Sequence, residues 1–245
     1  MPPTGALHSS ELLLDANGDF EIAVSCEKRP GNWLPMTPET GMLIVRQTFL
    51  DRAHERLAEV HIERVDGPNE PSPLTAEQVD KGLRDAGTMV AGASLLFSKW
   101  ARDFQKRTNE LPRFDPEVST RAGGDPTIAY YHGHWRLGLD EALLVEVTPP
   151  RCDYWNFQLD SYWMESLDYR YFNIHLNKHS AVLEADGSVR IVVAHTDPGH
   201  KNWITTAGHG EGTMCLRWVR SDEHPTPRTR VVKLSELAAL PGTRG

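Results

Sequence analysis

The stretch LDANGDFEIAV at residues 14–24 returns as LEADGSVRIVV at residues 183–193, with five of the eleven positions identical. Each copy is followed by an Asn-Trp pair, then by a glycine and an apolar run that ends at an arginine. These landmarks are Asn32-Trp33 and Gly41 to Arg46 in the first copy, and Asn202-Trp203 and Gly212 to Arg217 in the second. Self-similarity of this kind indicates architecture before it indicates chemistry. The sequence therefore predicts an internal repeat of residues 11–48 and 180–219.

Each copy is predicted to form a three-stranded β unit. Asn17-Gly18 and Asp186-Gly187 are dipeptides that tolerate the positive φ angles of a tight two-residue turn. Apolar residues at alternate positions follow the turn, as in a half-buried strand: Phe20, Ile22 and Val24 in the first copy, and Val189, Ile191 and Val193 in the second. A third strand is predicted at Met42–Thr48 or Thr213–Val219. Two such units could close into an antiparallel β-sandwich, so the predicted fold is mainly β, of the α+β type.

A helical insertion is predicted over residues 74–108. It follows a proline-rich linker, and Thr75 with Gln78 forms a capping-box pattern at its start. Apolar residues then recur at alternating spacings of four and three, namely Val79, Leu83, Ala86, Val90, Ala93, Phe97, Trp100 and Phe104. The stripe predicts one long helix, or two if Gly87–Gly92 breaks it, packed on a sheet of the same chain. A coiled coil is the alternative.

Length and composition are typical of an ordinary globular chain. The 245 residues are 39% hydrophobic and 24% charged, which predicts a single domain spanning residues 1–245. The net charge of −8 disfavours nucleic acid and anionic membranes as partners, and a homo-oligomer is left open. The N-terminus lacks a signal-peptide pattern, and the longest apolar stretches have only strand length. Three widely spaced cysteines predict reduced thiols and a cytoplasmic location.

Two longer stretches carry a family resemblance. WRLGLDEALLVEVTPPRCDYWNFQLDSYWMESLDYR at 135–170 and LEADGSVRIVVAHTDPGHKNWITTAGHGEGTMCLRW at 183–218 resemble the bacterial domain of unknown function 1214, DUF1214. The shared landmarks are YW, LDYR, DGS, DPG, NW, the glycine-rich loop and the terminal RW. The resemblance implies a jelly-roll-like β-sandwich with accessory helices and no established reaction. Family members extend further before the first hairpin, so it also suggests a truncated member.

Metal and cofactor chemistry have little support in the sequence. His132 and His134 would point to the same face of a strand, as a metal site requires. A cupin would place an acidic residue four or five positions beyond the second histidine, but Gly138 and Leu139 stand there. GxSxG, Walker, dinucleotide-glycine and HExxH motifs are absent from the sequence. We therefore predict neither a metal nor a cofactor.

Polar and aromatic residues concentrate between positions 130 and 212, beside the second repeat copy. Imidazoles and carboxylates beside an aromatic wall are suited to orienting a ligand or to acid–base chemistry. The predicted ligand-binding residues are His132, His134, Trp155, Gln158, Trp163, His195, Asp197, Asn202 and Trp203. The alternative for both Asn-Trp pairs is that they cap a sheet corner and fill the core. Arg46 and Arg217 are interpreted as strand-end arginines that pair with acidic neighbours.

Two functions stay open. The first is a sandwich that binds a small organic or carbohydrate-like ligand, or a partner subunit. The second is an enzyme of hydrolase or lyase type, acting on a small apolar or glycosidic substrate. It would use histidine and carboxylate as acid and base, with or without a metal.

Overall fold

Ten β-strands lie in three sheets within residues 4–67 and 70–237, the part of the chain that the computed structural model describes. The strands are β1 (Ile22–Ser25), β2 (Asn32–Pro35), β3 (Ile128–Arg136), β4 (Glu141–Val147), β5 (Tyr154–Asp160), β6 (His175–Asn177), β7 (Val189–Ala194), β8 (Trp203–Thr205), β9 (Glu211–Val219) and β10 (Arg228–Lys233). The helices are a 3-10 turn (Ser9–Glu11), α1 (Ala76–Gln105), α2 (Pro116–Arg121) and α3 (Leu234–Leu237). The fold is mainly β, as predicted.

The chain divides into two compact units. One consists of residues 1–48 and 116–126, and the other of residues 49–115 and 127–245. The first unit contains the two-stranded sheet β1-β2. The second contains two four-stranded sheets, in the orders β10-β4-β7-β8 and β3-β9-β5-β6.

One hydrophobic core joins the two four-stranded sheets of the second unit. Leu143 of β4 and Val193 of β7 belong to the same buried cluster as Trp155 of β5 and Trp218 of β9. Each of these side chains lies on the inward face of its strand, as the two-residue period of a strand requires. The opposite face of β3-β9-β5-β6 is polar and carries the candidate site.

In the first unit, a tight turn and one asparagine organise the chain before β1. The Asp15 N–H donates to the Asp19 carbonyl over 2.9 Å, and Gly18 adopts a φ of +88°, which glycine tolerates without strain. Asn32 then bonds three backbone groups. Its Oδ1 accepts from the Leu13 N–H at 2.7 Å, and its Nδ2 donates to the carbonyls of Leu13 and Glu21 at 2.9 and 3.0 Å. The strand β2 that starts here runs parallel to β1.

The second unit contains the same set of bonds. The Glu184 N–H donates to the Ser188 carbonyl over 2.8 Å, and Gly187 has a φ of +81°. Asn202 Oδ1 accepts from the Val182 N–H at 2.8 Å, and Nδ2 donates to the carbonyls of Val182 and Arg190 at 2.7 and 3.0 Å. Strands β7 and β8 are parallel, like β1 and β2. In both copies, the asparagine of the Asn-Trp pair thus makes equivalent bonds to three backbone groups, while the tryptophan is half-buried.

The predicted three-stranded unit is wrong in three respects. Met42–Thr48 forms no strand, and most of its apolar side chains are exposed. The corresponding strand of the second copy, β9, pairs with β3 and β5 in the other sheet instead of with β7. The pairs β1-β2 and β7-β8 are also parallel, whereas an antiparallel arrangement was expected. An apolar run needs a free strand edge beside it before it can pair, and only the tertiary structure supplies one.

The helix predicted within residues 74–108 is the unbroken 30-residue helix α1. The capping box is present, because the Gln78 N–H donates to Thr75 Oγ1 at 3.2 Å and the Thr75 N–H donates to Gln78 Oε1 at 2.9 Å. The predicted burial of its stripe is wrong for most of its length. Val79, Leu83, Val90 and Phe97 are exposed. A helix of this length spans about 45 Å, and only its C-terminal turns pack on β3.

No helix in the described ranges has the length and apolar content needed to span a membrane.

Candidate functional site on the polar face of a sheet

The site begins with the alternation of residues along β5. Trp155, Phe157 and Leu159 are buried in the core, as the period of the strand predicts. The intervening side chains are Asn156, Gln158 and Asp160, and they lie on the other face of the sheet.

The neighbouring strands extend this polar surface. On β9, Arg217 stands opposite Asn156, and Cys215 stands opposite Gln158. On β3, Tyr130 stands opposite Arg217, and His132 stands opposite Cys215. Adjacent strands are about 4.8 Å apart, so these residues form one continuous surface. We call it the polar face, and it consists of Tyr130, His132, Asn156, Gln158, Asp160, Cys215 and Arg217.

A line of hydrogen bonds crosses the polar face. Arg217 Nη1 donates to Gln158 Oε1 at 2.9 Å and to Asn156 Oδ1 at 3.4 Å. Gln158 Nε2 in turn donates to Asp160 Oδ1 at 2.7 Å. The Arg217 guanidinium also lies 5.9 Å from the centre of the Tyr130 ring. Within the described residues, no carboxylate forms an ion pair with Arg217, so the expected pairing with an acidic neighbour is wrong for this arginine.

Burial changes the ionisation of the other groups. It raises the pKa of Asp160 to about 6, against the opposing effects of the Gln158 hydrogen bond and the Arg217 charge. It lowers the pKa of His132 to about 3, with a contribution from Arg217, and it raises the pKa of the Cys215 thiol to about 11. At neutral pH the imidazole and the thiol are therefore uncharged. The guanidinium supplies a fixed positive charge to the polar face.

An aromatic cluster borders the polar face on the α1 side. The His132 ring stacks on Phe104 at 5.3 Å and meets Phe114 edge-on at 5.1 Å. A cleft of about 170 Å³ opens beside these rings. It is lined by Asp103, Phe104, Arg107, Pro112, Arg113, Phe114, His132 and Gly133.

The histidines predicted for the site lie in different places. His132 and His134 lie on the same face of β3, as predicted, but His134 is fully buried, with Nδ1 hydrogen-bonded to Thr108 Oγ1 at 3.0 Å. Its Nε2 lies 3.3 Å from a Glu211 carboxylate oxygen without the geometry of a hydrogen bond. His195 follows β7 in the other four-stranded sheet. Both of its ring nitrogens have partners there, Thr206 Oγ1 at 2.8 Å and the Leu137 carbonyl at 3.2 Å.

Of the other predicted residues, only Gln158 lies on the polar face. Trp155 is a core residue that meets Trp218 edge-on, and Asn202 bonds backbone groups. Trp203 Nε1 donates to the Ala194 carbonyl at 3.1 Å, and Asp197 Oδ1 accepts from the Gly199 N–H at 2.8 Å. Trp163 is exposed beside Tyr162.

Sequence reasoning missed Tyr130 and Arg217 as candidate site residues, and it considered Asp160 only for an acid–base cluster with Glu165, Asp168 and Arg170, outside the predicted ligand-binding set. The alternation along each strand assigns Tyr130, Asp160 and Arg217 to a face, but it leaves open which strands are neighbours. The pairing of β9 with both β3 and β5 brings these three residues onto one surface. Within the described ranges, no group of three or more histidine, cysteine, aspartate or glutamate side chains is placed to hold a metal ion.

The raised pKa of Asp160 makes stability depend on pH. The folded protein binds the carboxyl proton up to about pH 6, whereas the unfolded chain releases it near its ordinary value of 3.8. The contribution of this group to stability is therefore complete below about pH 4 and is lost as the pH rises through 6. We expect Asp160→Asn to remove this slope and to raise the free energy of unfolding above pH 7 by about 3 kcal/mol relative to wild type.

Urea denaturation of both proteins between pH 4 and 8 measures this effect. Parallel pH profiles for the variant and the wild type would mean that Asp160 has an ordinary pKa.

Comparison with known proteins gives the following relations. A structure of an uncharacterised protein from Burkholderia cenocepacia is 49% identical to the chain, with a TM-score of 0.91 over 97% of this chain and 65% of that one. The VPA0106 protein from Vibrio parahaemolyticus is 13% identical, with a TM-score of 0.37 over 66% of this chain and 47% of that one. The chain thus spans less than two thirds of the length of either protein. No curated protein matches it.

The family model for DUF1214, a protein of unknown function, matches residues 142–223. This segment contains most of β4 and all of β5 to β9, and with them five of the seven polar-face residues. The match to the DUF1214 family therefore extends over residues 142–223 of this chain.

Proposed function

We propose that the chain binds a small organic ligand on the polar face, and that the ligand carries a carboxylate which pairs with Arg217. The observation that carries this proposal is the half-buried guanidinium, whose hydrogen bonds within the described residues go only to amide oxygens. Removing a charge from water is costly unless an opposite charge compensates it. A ligand carboxylate would supply that charge.

Arg217 keeps N–H donors for such a ligand after it has bonded the two amides. Both hydrogen bonds of Arg217 use Nη1, so Nη2 and Nε have no partner within the described residues. A guanidinium can bond a carboxylate through two parallel N–H groups, which fixes the orientation of the bound anion as well as its charge. In this arrangement Asn156 and Gln158 are positioning residues that hold the Arg217 guanidinium in place.

The aromatic cluster suits the body of the ligand. The rings of Phe104, Phe114 and His132 border the cleft, and His132 also belongs to the polar face. Because His132 is uncharged at neutral pH, these three rings carry no charge. A carboxylate with a compact apolar or aromatic body therefore fits better than a neutral carbohydrate, which would bring no negative charge to pair with the guanidinium.

Binding should weaken as Asp160 ionises. Below about pH 6 this carboxyl is neutral, and above that pH its negative charge opposes an incoming carboxylate. We therefore expect tighter binding at pH 5 than at pH 8. Since Asp160 is the one polar-face group that titrates near neutrality, the surface favours binding over paired acid–base catalysis.

Calorimetric titration with benzoate, phenylacetate and their neutral amides tests the proposal. We expect the acids to bind and the amides to bind at least about tenfold more weakly, because only the acids match the charge. Arg217→Gln should weaken binding of the acids by a similar factor. Arg228→Gln removes an exposed arginine of β10, in the other sheet, and should leave binding unchanged. Equal affinity for acids and amides, or for Arg217→Gln and wild type, would refute the proposal.

We also propose that the repeat is a duplicated unit, made of a tight turn and two parallel strands closed by an asparagine. The matching bonds of Asn32 and Asn202 support this. Two four-stranded sheets around one core support the jelly-roll-like sandwich. The free cysteines Cys26, Cys152 and Cys215 support a cytoplasmic location.

A further inference from the structure

Strand β1 has one paired edge and one open edge. The Met36 N–H donates to the Ser25 carbonyl over 3.1 Å, so Ser25 directs its carbonyl toward the β2 side. Backbone groups alternate along a strand, and those of Ile22 and Val24 therefore point to the opposite edge. Within the described residues, no strand pairs with that edge.

The second unit has the same pair of strands with a third strand added. Val192 stands opposite Trp203 in β7-β8, as Ala23 stands opposite Trp33 in β1-β2. The other edge of β7 is occupied by β4 in antiparallel orientation.

The register of β4 identifies the equivalent positions. Leu143 and Val145 of β4 stand opposite Val193 and Ile191 of β7. In the aligned copies, LDANGDFEIAV and LEADGSVRIVV, the residues at these two positions of β7 correspond to Val24 and Ile22.

We propose that the open edge of β1 binds an antiparallel β-strand of the β4 type, with apolar side chains in the positions that face Ile22 and Val24. The exposure of the equivalent residues supports an apolar occupant. In β7, Ile191 and Val193 are 1% and 0% exposed, whereas in β1 Ile22 is half-buried and Val24 is 41% exposed. The first copy keeps the core-type residues of the second while lacking the strand that covers them. An edge of this kind presents unpaired N–H and C=O groups that a further strand can bond.

The length of β1 argues against a second copy of the same edge as the occupant. Two four-residue strands that pair with each other would bury far less than the roughly 1,200 Å² typical of a stable complex. The repeat indicates a β4-type strand instead, since residues Ala142–Val145 of β4 are fully buried against the equivalent edge in the second unit.

Residue-resolved amide hydrogen exchange tests the proposal, with a synthetic peptide of sequence DEALLVEVTP, residues 140–149, as the probe. We expect the peptide to slow exchange of the Ile22 and Val24 amides by at least about tenfold. The Ala23 and Ser25 amides face β2 and should be unaffected. A control peptide with proline in the position of Leu143 lacks an N–H that faces the paired strand, so it cannot complete the ladder and should give no protection.

Two protein variants complete the test. Val24→Pro removes an edge-facing donor without touching the β2 ladder, and Val24→Lys keeps the backbone while placing a charge at the edge. Both should abolish the peptide-induced protection. The proposal is overturned if the peptide fails to protect Val24 at millimolar concentration, or if the proline peptide protects it equally. A concentration-dependent dimer that Val24→Pro dissolves would also overturn it, because the occupant would then be a second copy.

Discussion

Replacing Trp218 with alanine is expected to lower the free energy of unfolding by about 3–5 kcal/mol, the range for a large aromatic residue truncated in a core. Trp218 is fully buried between the two four-stranded sheets and meets Trp155 edge-on at 5.9 Å. It lies on β9, which pairs with both β3 and β5, so a cavity there affects three strands. The loss of its indole hydrogen bond to the Pro225 carbonyl adds to the cost.

Urea denaturation followed by far-UV circular dichroism measures this loss. Trp163→Ala is the matched control, because Trp163 is 49% exposed and its removal should cost less than about 1 kcal/mol. Similar losses for the two variants would contradict the assignment of Trp218 to the core.

The second large effect is expected at Asn202. Asn202→Ala removes the side-chain bonds to one backbone N–H and two carbonyls and leaves these groups without their partners. A buried polar group without a partner costs about 1–3 kcal/mol, so we expect a total loss of about 2–4 kcal/mol.

Hydrogen exchange provides a second measurement at this site. In Asn202→Ala the Val182 amide should exchange faster, because its acceptor is gone. Asn17→Ala, in the exposed turn of the first copy, should stay within about 0.5 kcal/mol of wild type. A variant at Asn202 as stable as the one at Asn17 would show that the three bonds contribute little.

Local features of the fold could be predicted because they depend on neighbours in sequence. The capping box of Thr75 and Gln78 and the positive φ angles of Gly18 and Gly187 were predictable from residues a few positions apart. The burial of the α1 stripe was not, because apolar periodicity indicates which face of a helix can be buried but not whether a partner covers it. Leu83 has the spacing of a core residue and is exposed.

The candidate site could likewise be predicted only in part from the sequence. Alternation along β5 was sufficient to place Gln158 and Asp160 opposite the core face. The neighbours of these residues were not predictable, because they depend on which strand pairs with β5 and in which register. For the same reason, the sequence analysis placed His132 and His195 in one ligand-binding set. The structure places His132 on β3 and His195 after β7 of the other four-stranded sheet.

By itself, the sequence determined the mainly β character, the repeated turn-and-asparagine motif, the capped helix and the DUF1214 relationship. Each depends on local propensity, on short-range hydrogen bonding or on a recurring order of residues. Only the tertiary structure decided the parallel pairing of β1-β2 and β7-β8, the separation of β9 from β7, and the approach of Arg217 to Gln158 and Tyr130. Strand pairing joins residues that are far apart in the chain, and a shift of one residue in register moves every side chain to the other face.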